Sequence, residues 1–94
     1  MQEGDGDEVR FYELAADGLA KVAEQLPGHQ RRMATFHAAG TLLMAGPYGA
    51  PPVGALAIFT TREAAEEFVK EDPFVVHGVV STYTIQDWAE ALAS

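Results

Sequence analysis

Two parts of the chain repeat apolar residues at the spacing of an α-helix. In the first, residues 19–39, the early apolar positions share one side of the predicted helix: Leu19, Val22, Ala23 and Leu26. Pro27 and Gly28 interrupt this pattern, and because proline is tolerated at the first position of a helix, they predict a kink or a restart. The restarted helix should run to about Ala39, with Gly40 in the position that follows a helix C-terminus.

The second helical pattern covers residues 60–71. Thr60 and Glu63 have the spacing of a capping box, which predicts the start of the helix. A narrow apolar stripe follows, made of Ala64, Ala65, Phe68 and Val69. Residues 72–78 then predict a short turn or a single helical turn.

Four segments predict strands: 9–15, which has the β-branched and aromatic content typical of a strand, and 41–47, 55–60 and 79–88. The second and third are joined by a Gly/Pro-rich loop and should pair as a hairpin. The element order β-α-β-β-α-β predicts an α+β fold of the ferredoxin-like kind, with an antiparallel sheet and both helices on one face. We expect a single domain over residues 9–94, after a disordered acidic tail at 1–8.

The two hairpin strands lack an alternation of apolar and polar residues. A sheet with one solvated face should alternate, yet "LLMA" (42–45) and "ALAIF" (55–59) are apolar on both faces. Two helices cover only one face, so the other face predicts contact with a second sheet, most simply in a two-fold homodimer. Ferredoxin-like chains paired sheet to sheet form a dimeric α+β barrel with a cavity between helix and sheet or between subunits.

Composition and charge narrow the classes of partner. The chain has 94 residues, 48% of them apolar, which suffices for one small domain. A formal net charge of −8 disfavours nucleic acid and anionic membrane surfaces, because both require a basic patch. No apolar run approaches the ~20 residues of a membrane helix, no signal peptide is recognisable and there is no cysteine, so we expect a cytoplasmic protein.

One titratable residue stands in the apolar stripe of the first helix. His29 shares that stripe with Met33 and Phe36, so its ring should be aimed at the core. Taken alone, this position favours a core histidine that donates to a backbone carbonyl. Taken alone, Asp72 before Pro73 favours an ordinary helix cap.

The two residues together indicate chemistry. Both helices lie on one side of a βαββαβ sheet, so Asp72 at the end of the second helix and His29 in the first can be neighbours. A carboxylate beside a half-buried imidazole fixes the ring tautomer and raises its basicity, which is the construction of a general acid/base.

The other candidate residues are weaker. His37 should lie at the edge of the apolar stripe, and His77 at a C-terminal turn where a cation is favoured. Three histidines and Asp72 match no metal-ligand spacing, and the chain has no thiolate ligand, so we predict no metal and no cofactor. Gly46 belongs to no phosphate-binding loop but can line a ligand pocket, since glycine admits close backbone approach.

Several segments together resemble the YCII-related (YciI-like) family: "LPGHQRRM", "GTLLMAGP", "FTTREAAEEF", "DPFVVHGVV" and the closing Trp88. The resemblance covers about residues 9–92. It implies a ferredoxin-like subunit, a dimeric α+β barrel and an active site built on a His–Asp pair, which falls on His29 and Asp72. One relative is a dehydrochlorinase of a chlorinated hydroxyquinol, and the wider superfamily includes muconolactone isomerase-like enzymes.

The leading hypothesis is a small metal-free acid/base enzyme of isomerase, lyase or dehydrohalogenase type, acting on a small cyclic or aromatic molecule. His29 would transfer the proton and Asp72 would orient the ring. The expected pocket residues are Met33, Phe36, Gly46, Pro47, Phe74 and His77. Two alternatives stay open: a binding module with the same pocket and no turnover, and an accessory dimeric subunit in which His29 and Asp72 serve packing and capping.

Overall fold

The elements follow one another in the predicted order. A computed structural model describes residues 7–89 and 91. In chain order the elements are β1 (Asp7–Leu14), α1 (Gly18–Ala38), β2 (Leu42–Tyr48), β3 (Gly54–Phe59), α2 (Arg62–Glu71), α3 (Pro73–Val76) and β4 (Val80–Trp88). The single-turn helix α3 is one of the two forms predicted for residues 72–78.

The sheet has β1 and β3 at its centre. Its strand order is β2-β3-β1-β4, and all three pairings are antiparallel. This is the ferredoxin-like arrangement, and it confirms the predicted α+β class. Arg10 is opposite Ala57 and Tyr12 is opposite Ala55, so side chains of one parity on β1 face the helices while those of the other parity face away.

The main core lies between the sheet and the helices. Its buried members come from all four strands and from α2: Tyr12, Leu42, Ala57, Phe59, Ala65, Phe68, Val69 and Val80. Met33 and Phe36 of α1 pack against this cluster from the side. The apolar stripes predicted for both helices therefore face the sheet.

The first strand begins earlier than predicted. Asp7 is opposite Trp88, and Glu8 is opposite both Phe59 and Asp87, so these first residues belong to the sheet rather than to an acidic tail. Pairing with β4 holds both residues, and pairing with β3 also holds Glu8, despite their unfavourable strand propensity. Residues 1–6, the rest of the predicted tail, lie outside the described residues.

The first helix is continuous through its proline. Pro27 lies inside α1, where the sequence predicted a kink or a restart. The helix packs against α3 and β2, and this tertiary packing offsets the hydrogen bond that proline cannot donate. Gly40 has φ +83°, as expected for the glycine that follows a helix end.

The second helix starts one residue later than predicted. Its N-cap is Thr61, whose side chain accepts a hydrogen bond from the Ala64 amide at 3.1 Å, and not Thr60. The Thr60 amide donates instead to the Thr41 carbonyl at 2.9 Å. Thr60 is thus still held beside the start of β2, so the helix begins only after it.

The middle of the sheet face that points away from the helices is apolar. Val9, Leu56 and Ile58 lie on it beside the half-exposed Phe11 and Trp88, around a shallow groove. This arrangement agrees with the missing alternation in the hairpin strands. Within the described residues, no helix is both long and apolar enough to span a membrane.

Candidate active site

The structure brings His29 and Asp72 together. Nδ1 of His29 lies 2.7 Å from Oδ1 of Asp72, and the two residues are 43 positions apart in the chain. Asp72 is fully buried and His29 is 7% exposed. The juxtaposition expected from the topology is therefore present as a buried hydrogen bond.

Asp72 has three hydrogen-bond partners. Besides His29, it accepts from the Tyr12 hydroxyl on Oδ2 at 2.5 Å and from the Phe74 amide on Oδ1 at 3.2 Å. The last contact caps α3, with Pro73 as its first residue. The carboxylate is therefore both a helix cap and the partner of the imidazole, so these two interpretations do not exclude each other.

A close approach of two helices makes this contact possible. A Cβ atom on Gly28 would lie 3.0 Å from the Pro73 ring, so only glycine lets α1 come this close to the start of α3 without displacement. His29 follows Gly28 directly, and Asp72 precedes Pro73. Each side chain of the pair is thus adjacent in sequence to a residue of this close contact.

Aromatic contacts fix the imidazole ring. The Phe74 ring stacks on His29 with centroids 3.8 Å apart and planes 5° apart. The Phe68 ring meets the same imidazole edge to face at 6.1 Å. With Nδ1 held by Asp72, the nitrogen that remains for a ligand is Nε2.

A cavity of about 380 Å³ adjoins the pair. His29 is in its wall, and four of the expected pocket residues also line it: Met33, Gly46, Pro47 and Phe74. Most of the remaining lining is apolar and includes Leu19, Val22, Leu26, Ala55 and Val79. Its volume is at the small end of the roughly 300–1,000 Å³ of ligand pockets, a size suited to a single-ring molecule.

Two expected pocket residues do not line this cavity. Phe36 packs edge to face against Phe68 at 5.1 Å and against Phe59 at 6.5 Å, within the apolar core. It lies two helical turns beyond His29, which carries it past the cavity. His77 is exposed and ends α3, a helix of only four residues, so its ring lies outside the wall.

The third histidine is also separate from the pair. His37 is exposed, and its Nδ1 donates to the Leu42 carbonyl at 2.8 Å near the end of α1. Over residues 7–89 and 91, no three His, Asp or Glu side chains are grouped as ligands of one metal ion.

Two residues of the site were not predicted from the sequence. Tyr12 binds Asp72, and Arg10 lies in the cavity wall with 1% exposure. The guanidinium carbon of Arg10 is 3.4 Å from the centroid of the Tyr12 ring. The two-residue period of a strand could have predicted this pairing. In "VRFYEL" it places Arg10 and Tyr12 on one face of a strand that is central in a ferredoxin-like sheet.

Burial is the main cause of the pKa shifts of Tyr12 and Arg10. Desolvation raises the pKa of Tyr12 far above its ordinary value, and the charge of Asp72 adds to the rise. Tyr12 is therefore a hydrogen-bond donor to Asp72 that keeps its proton throughout the physiological range. Desolvation lowers the pKa of Arg10, opposed by the interactions with Tyr12 and Asp72.

The fold and the buried His–Asp pair define a class, a ferredoxin-like α+β protein with a titratable pair beside an apolar cavity. The chain belongs to the YCII-related family, whose domain model matches residues 9–89. This confirms the resemblance drawn from the sequence segments. A comparison with curated proteins gives no significant match.

Solved structures share the fold at low sequence identity. One is 5-chloro-2-hydroxyhydroquinone dehydrochlorinase from Burkholderia phenoliruptrix in complex with 2,5-dihydroxybenzoquinone, with a TM-score of 0.75 and 15% identity over 90% of this chain and 95% of that one. Another is the cofactor-independent oxygenase SnoaB from Streptomyces nogalater, with a TM-score of 0.50 and 13% identity over 94% of this chain and 96% of that one. At such identities the likeness concerns the fold.

Proposed function

We propose that this protein is an acid/base enzyme of isomerase, lyase or dehydrohalogenase type that acts on a small cyclic or aromatic molecule. The observation that carries the proposal is the buried 2.7 Å contact between His29 and Asp72 in the wall of an apolar cavity. A histidine whose orientation is fixed by a carboxylate is a general base and acid near neutral pH.

His29 is the proton-transferring residue in this proposal. Asp72 accepts from the Nδ1 hydrogen, so Nε2 takes a proton from a C–H or O–H group of the bound molecule. In an isomerisation the imidazolium returns that proton at another atom. In a dehydrohalogenation the electrons of the broken C–H or O–H bond form the new double bond, the halide leaves with its bonding pair, and the proton on His29 passes to solvent.

Asp72 and Tyr12 support this step without exchanging protons themselves. The carboxylate stabilises the imidazolium that forms, and the Tyr12 hydroxyl and the Phe74 amide occupy its remaining acceptor positions. The stacked Phe74 ring prevents the imidazole from turning away. The step needs no group beyond this chain and the substrate.

The structural neighbours support a small-molecule substrate. One is described as a dehydrochlorinase bound to a dihydroxybenzoquinone, and another as a cofactor-independent oxygenase. The ligand of the dehydrochlorinase is a single-ring molecule, and the 380 Å³ cavity here is of matching scale.

We further infer that the chain acts as a cytoplasmic homodimer, with no nucleic acid or membrane partner. The net charge of −8 supports the inference that neither nucleic acid nor a membrane is a partner. The apolar open face of the sheet supports the homodimer, because Phe11 and Trp88 would become buried when two such faces pair.

Deuterium exchange tests the proposed chemistry across a range of substrate candidates. A panel of single-ring enols, lactones and chlorinated hydroquinols is incubated in D₂O, and proton NMR and chloride release are followed. At least one compound should exchange or lose chloride, and His29→Gln should slow this by about 10²-fold or more. His37→Gln is the matched control and should retain the wild-type rate.

Two results would contradict the enzyme proposal. An equal rate in wild type and His29→Gln would exclude His29 as the proton-transferring residue. Binding of several panel members with neither exchange nor chloride release would favour the alternative, a non-catalytic binding module.

A further inference from the structure

Arg10 lies in the wall of the same cavity and has no part in the proton transfer described above. Its side chain is 1% exposed. Within the part of the chain that the structure describes, its Nε and Nη1 atoms are buried without a hydrogen-bond partner. A guanidinium has five N–H donors and stays protonated in proteins, so buried guanidinium nitrogens without a hydrogen-bond partner are rare in folded proteins.

Aromatic rings hold the guanidinium in one orientation. Its carbon lies 3.4 Å from the Tyr12 ring centroid and 5.6 Å from that of Phe68. Stacking uses the flat face of the group, whereas its hydrogen bonds lie in the plane of the group. The N–H groups on Nε and Nη1 are therefore left for a partner in the plane of the guanidinium.

The described part of the protein supplies no anionic partner in contact with this group. Among residues 7–89 and 91, no carboxylate oxygen lies within 4.0 Å of the Arg10 guanidinium nitrogens. Asp72 is a neighbouring charge, but it already accepts from Tyr12, His29 and the Phe74 amide. Burying a cation without a paired anion is strongly unfavourable, and a ligand that brings the anion would recover that loss.

We propose that Arg10 determines the substrate class of this site by binding an ionised oxygen, a carboxylate or an acidic ring hydroxyl, of a small and otherwise apolar molecule. The inference rests on the proposed function, because it concerns the same cavity. Leu26, Met33 and Val79 surround the apolar part of the ligand, Arg10 binds its charged oxygen, and His29 meets the reacting proton.

Because the whole protein is negatively charged, binding of an anionic ligand depends on the local charge of Arg10. With a net charge of −8, the chain repels anions at long range. An anionic ligand is therefore not attracted by the surface and is selected only inside, where a desolvated charge pair is strong. Arg10 provides the cation there, and its planar donors match carboxylate and enolate oxygens.

Matched ligand pairs test the inference by binding alone. Isothermal titration at pH 7 compares 2,5-dihydroxybenzoquinone with 2,5-dimethoxybenzoquinone, which cannot ionise, and benzoate with benzamide. The ionised member of at least one pair should bind wild type about tenfold or more tightly than its neutral counterpart. The pair that shows the preference distinguishes a ring hydroxyl from a carboxylate as the recognised group.

Variants assign that preference to Arg10. Arg10→Gln should remove the preference while changing the affinity for the neutral ligand less than about twofold, and Arg10→Lys should retain part of it. Arg31→Gln removes the same charge from an exposed position of α1 and should leave both affinities unchanged. Circular dichroism verifies that each variant is folded, and the wild-type comparison stands whether or not Arg10→Gln folds.

Three outcomes would overturn the inference. They are equal affinities within both pairs in wild type, a preference that persists in a folded Arg10→Gln protein, and no binding of either ionised ligand at millimolar concentration. His29→Gln should keep the preference for the ionised ligand. A preserved preference without deuterium exchange would therefore retain the role of Arg10 and reject only the enzyme proposal.

Discussion

Nδ1 of His29 and Oδ1 of Asp72 are 2.7 Å apart in the interior of the protein, where α1 meets the junction of α2 and α3. The aspartate also caps α3 and accepts from Tyr12. One buried carboxylate thus connects a central strand, a long helix and a short helix. These contacts hold Asp72 and His29 together from three separate elements.

The first prediction concerns the tautomer of His29. Asp72→Asn keeps the size and the helix cap but loses the charge, and its amide group can donate to the ring as well as accept from it. We expect the Nδ1–H tautomer to become less populated and any turnover to fall by about 10²–10⁴-fold. Nitrogen-15 NMR of the ring measures the tautomer directly.

His37 is the internal control for that experiment. Its Nδ1 donates to the Leu42 carbonyl near the C-terminus of α1, two turns from His29, so its ring nitrogen signals should not change in Asp72→Asn. Superimposable His29 signals in the two proteins would mean that Asp72 acts only as a cap.

The second prediction concerns the hydroxyl of Tyr12. Tyr12→Phe leaves Asp72 Oδ2 buried without its donor, and hydrogen bonds to charged groups contribute about 1.5–3 kcal/mol. We expect a loss of stability of that size in urea denaturation. Tyr83→Phe is the matched control, because Tyr83 is 45% exposed on the neighbouring strand, and it should change stability by less than about 0.5 kcal/mol. Equal effects of the two substitutions would argue against the contact.

The element order and the His–Asp pair were predictable because each depends on local signals and topology. Helical spacing aimed His29 inward, and the Asp72–Pro73 step marked the start of a turn. The βαββαβ order then placed the two on one side of the sheet. The family comparison and the antiparallel sheet confirm that fold.

The features that the sequence did not predict depend on tertiary contacts that local patterns do not encode. Arg10 resembles an ordinary strand residue until the register places it in the cavity wall above the Tyr12 ring. Thr60 has the spacing of a capping box, but its amide donates to the Thr41 carbonyl instead of taking part in a helix cap. Phe36 shared the stripe of His29, but a position two turns away reaches the core instead of the cavity.

The third prediction concerns pH and a pair of carboxyl groups on β1 and β4. Burial raises the pKa of Glu8, and the hydrogen bond and charge of its neighbour Asp87 raise it further. The charge of Arg62, whose Nε lies 3.7 Å from Oε1 of Glu8, opposes this rise. The native state thus holds this proton to a higher pH than the unfolded chain, whose value is near 4.5. The contribution of Glu8 to stability therefore becomes more favourable as the pH falls from neutral toward that value.

Glu8→Gln should remove this dependence. We expect a higher melting temperature than wild type at pH 7, because no buried charge has to be desolvated, and a smaller difference at pH 5. Glu24→Gln, at an exposed position of α1, should show neither effect. A lower melting temperature of Glu8→Gln at pH 7 would mean that the Arg62 ion pair outweighs the burial of the charge.

The fourth prediction compares two glycines of the β2–β3 hairpin. A Cβ atom on Gly54 would overlap the Tyr12 carbonyl oxygen and the Tyr48 hydroxyl, whereas one on Gly46 would meet nothing within 4 Å. Gly54→Ala should therefore destabilise the protein by about 1–3 kcal/mol or more through overpacking. Gly46→Ala should stay within about 0.5 kcal/mol of wild type in the same urea titration. Similar effects at the two positions would contradict the close approach of β3 to Tyr12.

The last prediction concerns the open face of the sheet. Phe11 is 38% exposed there beside Val9, Leu56 and Ile58, and a second copy is the simplest cover for such a face. Phe11→Glu should convert a particle with the mass of two chains into one with the mass of a single chain in light scattering. A carboxylate at the centre of an apolar interface would be buried without a partner in both copies at once. Val76→Glu adds the same charge at a 59% exposed apolar position on α3 and should leave the mass unchanged. A single-chain mass for the wild-type protein at micromolar concentration would contradict the homodimer.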